Sequence, residues 1–365
     1  MIYLDHAATS FPKPPEVVAA VQRWFDEVGV SPDRGEGPRT AESAAVVQRC
    51  RAGAAKLTGH RPERVAFCSG ATEGLNLTLR AMVTSSARVV TTCYEHSSVV
   101  RPLQALRDER GAEVCMAASI EELCETLRRG GGDLVVLTHA SNVTGEVLDT
   151  SSVVAAAREA GAKVLLDASQ TAGYLPLDLG ADVVVASAHK ALHGPPGLGF
   201  VSVADTLELA PQKHGGSGSS VALDRHPTAW PAAFEAGTPN TPALFGLDAA
   251  ITWLEQRGAG ALLARALAPL DWLKQQLSEM PGVRLHVASG PARTPVLSFT
   301  HDAYDPLELG SVLSAAGVQA RAGFHCAPWL HQQLGTQATG TVRISTGPET
   351  SQADVEAVVA ILTAL

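Results

Sequence analysis

The sequence predicts an α/β protein: a large unit with a mostly parallel sheet of seven strands, and a smaller C-terminal α/β unit. Between about residues 64 and 204, short β-branched apolar runs alternate with helix-like stretches. The runs are nearly continuous in apolar residues, as strands covered by helices on both faces must be. A chain of 365 residues with 45% hydrophobic content is also long enough for one large core and a second, smaller one.

The opening "MIYLDHAATSFPKP" carries an acid at position 5 and no basic leader, so it reads as neither a secretory nor a transit peptide. The strand runs follow as "RVAFCSG", "ARVVTTC", "AEVCMA", "DLVVLTHAS", "AKVLLDASQ", "ADVVVASAHK" and "LGFVSVA". The Gly/Ser-rich "KHGGSGSSVALDRHP" (213–227) reads as a surface loop, either a lid or a disordered excursion. Two helical patterns come next, "ALFGLDAAITWLEQRG" and "ALLARALAPLDWLKQQLSEM"; Pro269 is expected to kink or break the second. Beyond Pro281 the runs "RLHVAS", "PVLSFT", "VQARAG" and "TVRIST" predict the small unit's strands. The expected division is 15–255 for the large unit, with 1–14 and 256–365 forming the small one.

A net charge of −9 with 18% charged residues argues against nucleic acid or an anionic membrane surface as partner. No apolar run approaches the roughly 18 residues of a membrane span. A small-molecule substrate is the better expectation. The six cysteines show no paired spacing and read as reduced thiols of a cytoplasmic protein.

In open parallel sheets, ligands gather beyond the carboxyl ends of the strands, so polar residues ending apolar runs are the first candidates. "FCSGATEGLNL" turns from strand to helix at Ala71-Thr72, which suits either an anion on a helix N-terminus or an ordinary N-cap. "VLLDASQTAG" ends a strand on Asp167, with Gln170 close behind. A carboxylate there needs a partner, and a protonated ring nitrogen is one; the alternative is a capping role for the next helix. "VVVASAHKALHGPPGLG" ends another strand on Lys190, flanked by the anion donors Ser187 and His189. A desolvated lysine has a lowered pKa and becomes an amine nucleophile for an aldehyde. Anion cradle, carboxylate and amine together describe a pocket for pyridoxal 5'-phosphate. No metal site is predicted.

With "YLDHAATSFPKP", "SGATEGLNL", "YEHSSVV", "SNVTGE", "DASQTAG", "SAHKALHGPPGLG", "FEAGTPNT", "RAGFHCAP" and "VRIS" in order, the chain resembles the cysteine desulfurase and selenocysteine lyase group of the class V aminotransferases, with the pyridoxal-phosphate transferase fold of type I. The short "RAGFHCAP" segment is similar to the subgroup, often called group II, whose catalytic cysteine sits on a brief, ordered loop. The resemblance implies that Lys190 binds the aldehyde, that His96 stacks on the ring and assists proton transfer, and that Asn142 lies near the ring hydroxyl or the substrate carboxylate. It places Asp167 on the ring nitrogen and Gln170 on the ring oxygen. It gives the phosphate to Ala71, Thr72, Ser187 and His189, with Thr238 joining from a second subunit of a homodimer. Arg343 grips the substrate carboxylate, Arg321 and Arg34 lie nearby, and Cys326 receives the sulfur. His325 and the cofactor's positive groups are expected to favour the Cys326 thiolate. The chain departs from the family pattern at Gly37, where a histidine is expected.

The implied reaction converts L-cysteine to L-alanine and leaves a persulfide on Cys326 for a sulfur-acceptor protein. L-selenocysteine is the alternative substrate, and an aminotransferase or C–S lyase of the same fold is another possibility, for which Cys326 is unnecessary. A Rossmann-like nucleotide-binding module is disfavoured, because no G-x-G-x-x-G follows the first strand.

Overall fold

The structure is a computed structural model that describes residues 1–32, 35–216, 218, 224–288 and 290–365. The first strand, β1 (Ile2–Tyr3), pairs in parallel with residues 318–319 near the other end of the sequence. The seven predicted strands follow: β2 (Val65–Cys68), β3 (Arg88–Thr92), β4 (Glu113–Ala117), β5 (Leu134–Thr138), β6 (Lys163–Asp167), β7 (Val183–Ser187) and β8 (Gly199–Val203). They form one sheet in the order β2-β8-β7-β6-β5-β3-β4. Pairings from β4 through β7 are parallel, and β8 runs antiparallel to both β7 and β2.

The burial explains the sequence pattern. Every residue of β5, β7 and β8 is buried. One face packs on helices Ala71–Met82 and Ser97–Arg110 through Leu75, Leu79, Leu103 and Leu106. The other packs on helices Pro38–Thr58, Ile120–Gly130 and Thr150–Ala160 through Ala54, Leu123 and Val153. At roughly 1.5–3 kcal/mol per fully buried large aliphatic side chain, these layers hold the strand ends rigid. Between β3 and β5 the connections change direction along the sheet, because β4 lies outside β3 and β5 inside it. The crevice at such a switch point is where open α/β sheets bind ligands.

The later predicted strands form β9 (Val283–His286), β10 (Val296–His301), β11 (Val318–Gln319), β12 (Arg321–Gly323) and β13 (Thr341–Ser345). The order β12-β13-β10-β9 makes a second, antiparallel sheet with its own core of Leu297, Phe299, Val342 and Ile344. The expected break at Pro269 does not occur: one helix runs Ala259–Glu279 with Pro269 buried inside it. An interior proline costs about 3 kcal/mol. The helix buries Leu262, Leu270, Leu273 and Leu277, and that burial outweighs the loss. The loop expected over 213–227 falls partly outside the described residues. Among the described residues, no helix is long and apolar enough to cross a membrane, and no group of His, Cys, Asp or Glu could hold a metal.

Candidate active site

A cavity of about 220 Å³ opens at the carboxyl ends of β5, β6 and β7. Asp167 is the last residue of β6 and is 5% exposed. The Ser169 amide and hydroxyl both donate to its Oδ1, at 2.9 and 2.6 Å. Its Oδ2 thus remains for a ligand in the cavity that Asp167 lines. Gln170 lines the same wall, and its amide is anchored on the Ala7 carbonyl at 3.1 Å.

Lys190 follows β7 on a turn in which the His193 N–H closes on the Lys190 carbonyl at 2.9 Å. Burial lowers the Lys190 pKa; Asp167 and Cys326 oppose the shift, while Arg343 and Arg321 add to it. The amine is therefore poised to lose its proton. Gly173 holds the Asp167 turn against this loop: at φ 104, a Cβ there would lie 2.3 Å from the Ala191 carbonyl oxygen.

The anion cradle is built where helix Ala71–Met82 begins. The Ala71 N–H donates to Ser187 Oγ at 3.0 Å, which joins the helix start to the end of β7. That bond occupies the Ala71 amide and leaves the Ser187 hydroxyl hydrogen for an anion. Thr72 Oγ1 lies 2.7 Å from Ser98 Oγ. Gly199 lets Gly70 approach β8, since a Cβ at 199 would sit 2.8 Å from Gly70 Cα. His189 lines the cavity beside them, its pKa pushed down to about 4 by burial first and by Lys190 and Lys13 second.

His96 is the N-cap of helix Ser97–Arg110 and accepts from the Ser98 N–H at 3.1 Å through Nδ1. Its proton therefore resides on Nε2. Burial, followed by the Lys190 charge, pushes its pKa down to about 4, so the ring is neutral. Immediately before it, Glu95 is fully buried and raised to about 8 by desolvation. Glu95 Oε1 accepts from Thr92 Oγ1 at 2.8 Å and from the Thr138 N–H at 3.0 Å, tying the ends of β3 and β5 together.

The third wall comes from the antiparallel sheet. Arg343, in β13, is 1% exposed and donates to Asp5 Oδ1 at 2.5 Å and to the Asn142 carbonyl at 3.1 Å. One N–H on each terminal nitrogen remains for a carboxylate to accept. Asn142 lines the cavity and donates through Nδ2 to the His325 carbonyl at 2.5 Å. Arg321 also lines it, and its Nη2 lies 3.8 Å from Cys326 Sγ.

Cys326 itself stands at the edge of this wall, half-buried, and is not a lining residue. His325 and Cys326 adopt φ values of 48 and 59. Two successive left-handed residues make a tight loop between β12 and helix Pro328–Leu334. The Ser97 N–H clamps it by donating to the Cys326 carbonyl at 2.7 Å. The expectation that His325 lends positive charge to the thiol is not met. Burial drives its pKa down to about 2, and Nε2 is engaged with Thr341, at 2.9 Å to Oγ1. Arg321 is the cation at the sulfur.

Of the other expected residues, Thr238 is exposed and does not line the cavity. Arg34 lies outside the described residues. Gly37 begins helix Pro38–Thr58 at φ 118, a conformation that a histidine adopts only under strain. Sequence reasoning did not find Asp5, Glu95, Ser98, Thr138 or Ser169 as parts of the site. Ser98 and Ser169 lie two residues from a predicted site residue and were within reach of local reading. Asp5 sits 338 positions from Arg343, and nothing local points to that pairing.

The family model described as Aminotransferase class-V matches residues 2–358. Among curated relatives, a "Cysteine desulfurase" of Salmonella typhimurium is 32% identical over 386 residues, covering 100% of this chain and 93% of that protein. A "Probable cysteine desulfurase 1" of Mycobacterium leprae is 31% identical over 358 residues, covering 93% of this chain. The chain spans 58% of that relative's length and 52% of a similar Mycolicibacterium paratuberculosis protein. Among solved structures, an apo cysteine desulfurase from Thermococcus onnurineus NA1 superposes with TM-score 0.92 at 27% identity, covering 99% of this chain and 93% of the other. Escherichia coli CsdA, a cysteine desulfurase, gives TM-score 0.88 at 26% identity, covering 99% and 94%.

Proposed function

The chain belongs to the aminotransferase class-V family, and from that premise we propose that it is a pyridoxal-phosphate-dependent cysteine desulfurase. The observation that carries the reading is the cavity itself. Asp167, Lys190 and the Ala71–Ser187 cradle share one side of it, while Arg343 and Arg321, with Cys326 beside it, close the other. The donor set fits the cofactor. Asp167 Oδ2 suits a protonated ring nitrogen, and the Ser187, Thr72 and His189 side chains at a helix start suit a phosphate. The glycine pair 70 and 199 leaves the backbone room.

When bound, the cofactor supplies an aldehyde for the amino group and a protonated ring that takes up the electron pair left at the substrate α-carbon. The chain's residues do the rest. Arg343 orients the substrate through its carboxylate, at the two N–H groups not held by Asp5 and Asn142. Lys190, its pKa lowered by burial, accepts the α proton. Neutral His96 lines the cavity where the ring would lie, with its proton on Nε2. Cys326, with the Arg321 guanidinium 3.8 Å from its sulfur, attacks the substrate sulfur as the thiolate. The substrate C–S bond breaks as an S–S bond forms, so L-cysteine and the Cys326 thiol yield L-alanine and a Cys326 persulfide. A sulfur-acceptor protein then takes the outer sulfur.

Exposed Thr238 fits a contribution to the phosphate site of a second copy, and hence a homodimer. The seven-stranded and four-stranded sheets, with β1 paired to β11 in a small sheet of its own and Asp5 bridged to Ser345 of β13, support the division into 15–255 and 1–14 with 256–365. Six free cysteines accord with a reducing, cytoplasmic setting.

The test is alanine released from L-cysteine by cofactor-loaded protein with reductant present. Wild type releases alanine, Cys326→Ala does not while retaining the cofactor's near-visible absorbance, and Lys190→Ala loses both. Equal release by wild type and Cys326→Ala removes the sulfur-acceptor role, and turnover by Lys190→Ala removes the whole scheme.

A further inference from the structure

A second cavity, about 360 Å³ against about 220 Å³ for the catalytic one, shares no lining residue with it. A small third cavity lies between them; His6 lines it together with the second, and Lys190 lines it together with the first. The larger cavity thus backs onto the turn that carries the catalytic lysine. Phe11, Trp253 and several prolines supply the apolar part of its lining, and Arg257, which lines it too, holds its guanidinium 5.7 Å from the Trp253 ring.

Among its lining residues are an ammonium and an imidazole that are incompletely bonded. Lys13 Nζ donates to Ser10 Oγ at 2.8 Å and to the His189 carbonyl at 2.7 Å, leaving one of its three N–H groups. Burial alone pushes the Lys13 pKa down to about 8, with no carboxylate acting against it among the described residues. His193 is 3% exposed, its ring lies 4.9 Å from that of Trp253, and its Nε2 has no partner. It also holds φ 56, an uncommon conformation for a non-glycine residue, on the turn whose first carbonyl belongs to Lys190. The acids of this cavity, Glu16 and Glu349, are both exposed, and Glu349 reaches Arg265 at 3.4 Å. A half-buried ammonium with a spare N–H and a buried imidazole with an unpartnered nitrogen are both groups that a ligand in the cavity can complement.

We propose that this cavity binds a small carboxylate with a flat apolar body. Its carboxylate sits on Lys13 Nζ beside the His193 ring, and its body lies against Trp253 and Phe11. Such a ligand takes the Lys13 N–H that Ser10 and the His189 carbonyl leave free, and so touches a group bonded to the residue next to Lys190 without entering the catalytic cavity.

The experiment is a fluorine NMR titration of 4-fluorobenzoate against the cofactor-loaded enzyme. The expected result is saturable binding that weakens about ten-fold or more in Lys13→Met and is unchanged in Arg321→Ala. Phe11→Ala, on the exposed wall, weakens binding as well and serves should the lysine variant fail to fold. The proposal is overturned by an absence of saturable binding, by undiminished binding in Lys13→Met or in Phe11→Ala, or by loss of binding in Arg321→Ala, which would place the benzoate in the catalytic cavity. The readout is the ligand signal, so it stands or falls independently of alanine release.

Discussion

Asp5→Asn isolates the contact that aims Arg343. Asp5 lines no part of the catalytic cavity, so it acts only through the guanidinium it holds. Exposed ion pairs contribute about 0–1 kcal/mol. This one is 2.5 Å long, with side-chain exposures of 1% and 12%, and belongs to the buried class. Removing one partner of such a pair costs about 3–5 kcal/mol. Asparagine keeps an acceptor oxygen in place and restores about 1 kcal/mol as a neutral hydrogen bond. The expected loss of stability is therefore about 2–4 kcal/mol, read as a lower urea midpoint at unchanged slope. The substrate carboxylate loses one well-aimed charged hydrogen bond, about 1.5–3 kcal/mol, so KM for L-cysteine rises about ten- to hundred-fold. The kcat of saturated enzyme changes by less than about three-fold, because proton removal at Lys190 does not use this pair. An unchanged midpoint and an unchanged KM would refute the reasoning, and a fall in kcat alone would move Asp5 from positioning to chemistry.

Glu95→Gln should flatten a pH dependence of stability. The folded-state pKa of Glu95 is raised from 4.5 to about 8, so between those values the folded chain keeps a proton that the unfolded chain has released. Stability then falls as pH rises across that window, by at most about 1.4 kcal/mol per unit. Urea midpoints at about pH 5 and about pH 8 should converge in the variant, and a slope equal to wild type assigns it to other groups. Gly199→Ala places a Cβ 2.7 Å from the Ala186 carbonyl oxygen and 2.8 Å from Gly70 Cα, forcing the anion cradle away from β8. Pyridoxal-phosphate affinity by equilibrium dialysis should drop about ten-fold or more, an overpacking cost of about 1–3 kcal/mol; wild-type affinity would show that the cradle does not need the close approach.

The strands and the residues at their ends were legible because a parallel sheet imposes both signals on the sequence at once. Its strands must be apolar along their whole length, and whatever is polar at their carboxyl ends faces the crevice. Asp167, Ser187 and Lys190 were found that way. The antiparallel sheet was legible only as short runs, and the role of Arg343 came from resemblance, since a guanidinium at the end of "TVR" looks the same buried or exposed. Of the two outcomes expected at Pro269, a kink or a break, the break does not occur, because tertiary burial carries the helix through the proline. His325 was misread for a related reason: adjacency to Cys326 in sequence says nothing about burial, and burial makes the imidazole neutral. Glu95 escaped notice because a carboxylate beside a histidine reads as polar surface until the sheet closes over it.

The pairing of β1 with β11, and of Asp5 with Arg343 across 338 positions, bears on the order of assembly. Contacts between such distant parts of a chain form after local ones, because loop closure must precede them. The parallel sheet can be complete while the arginine that recognises an amino acid is still unaimed. A partly folded molecule could then hold the cofactor's phosphate yet have no grip on substrate, and a reactive aldehyde would wait in a site unable to select what condenses with it. Gripping an amino acid is thus the last competence this chain acquires, and it certifies that the chain has closed.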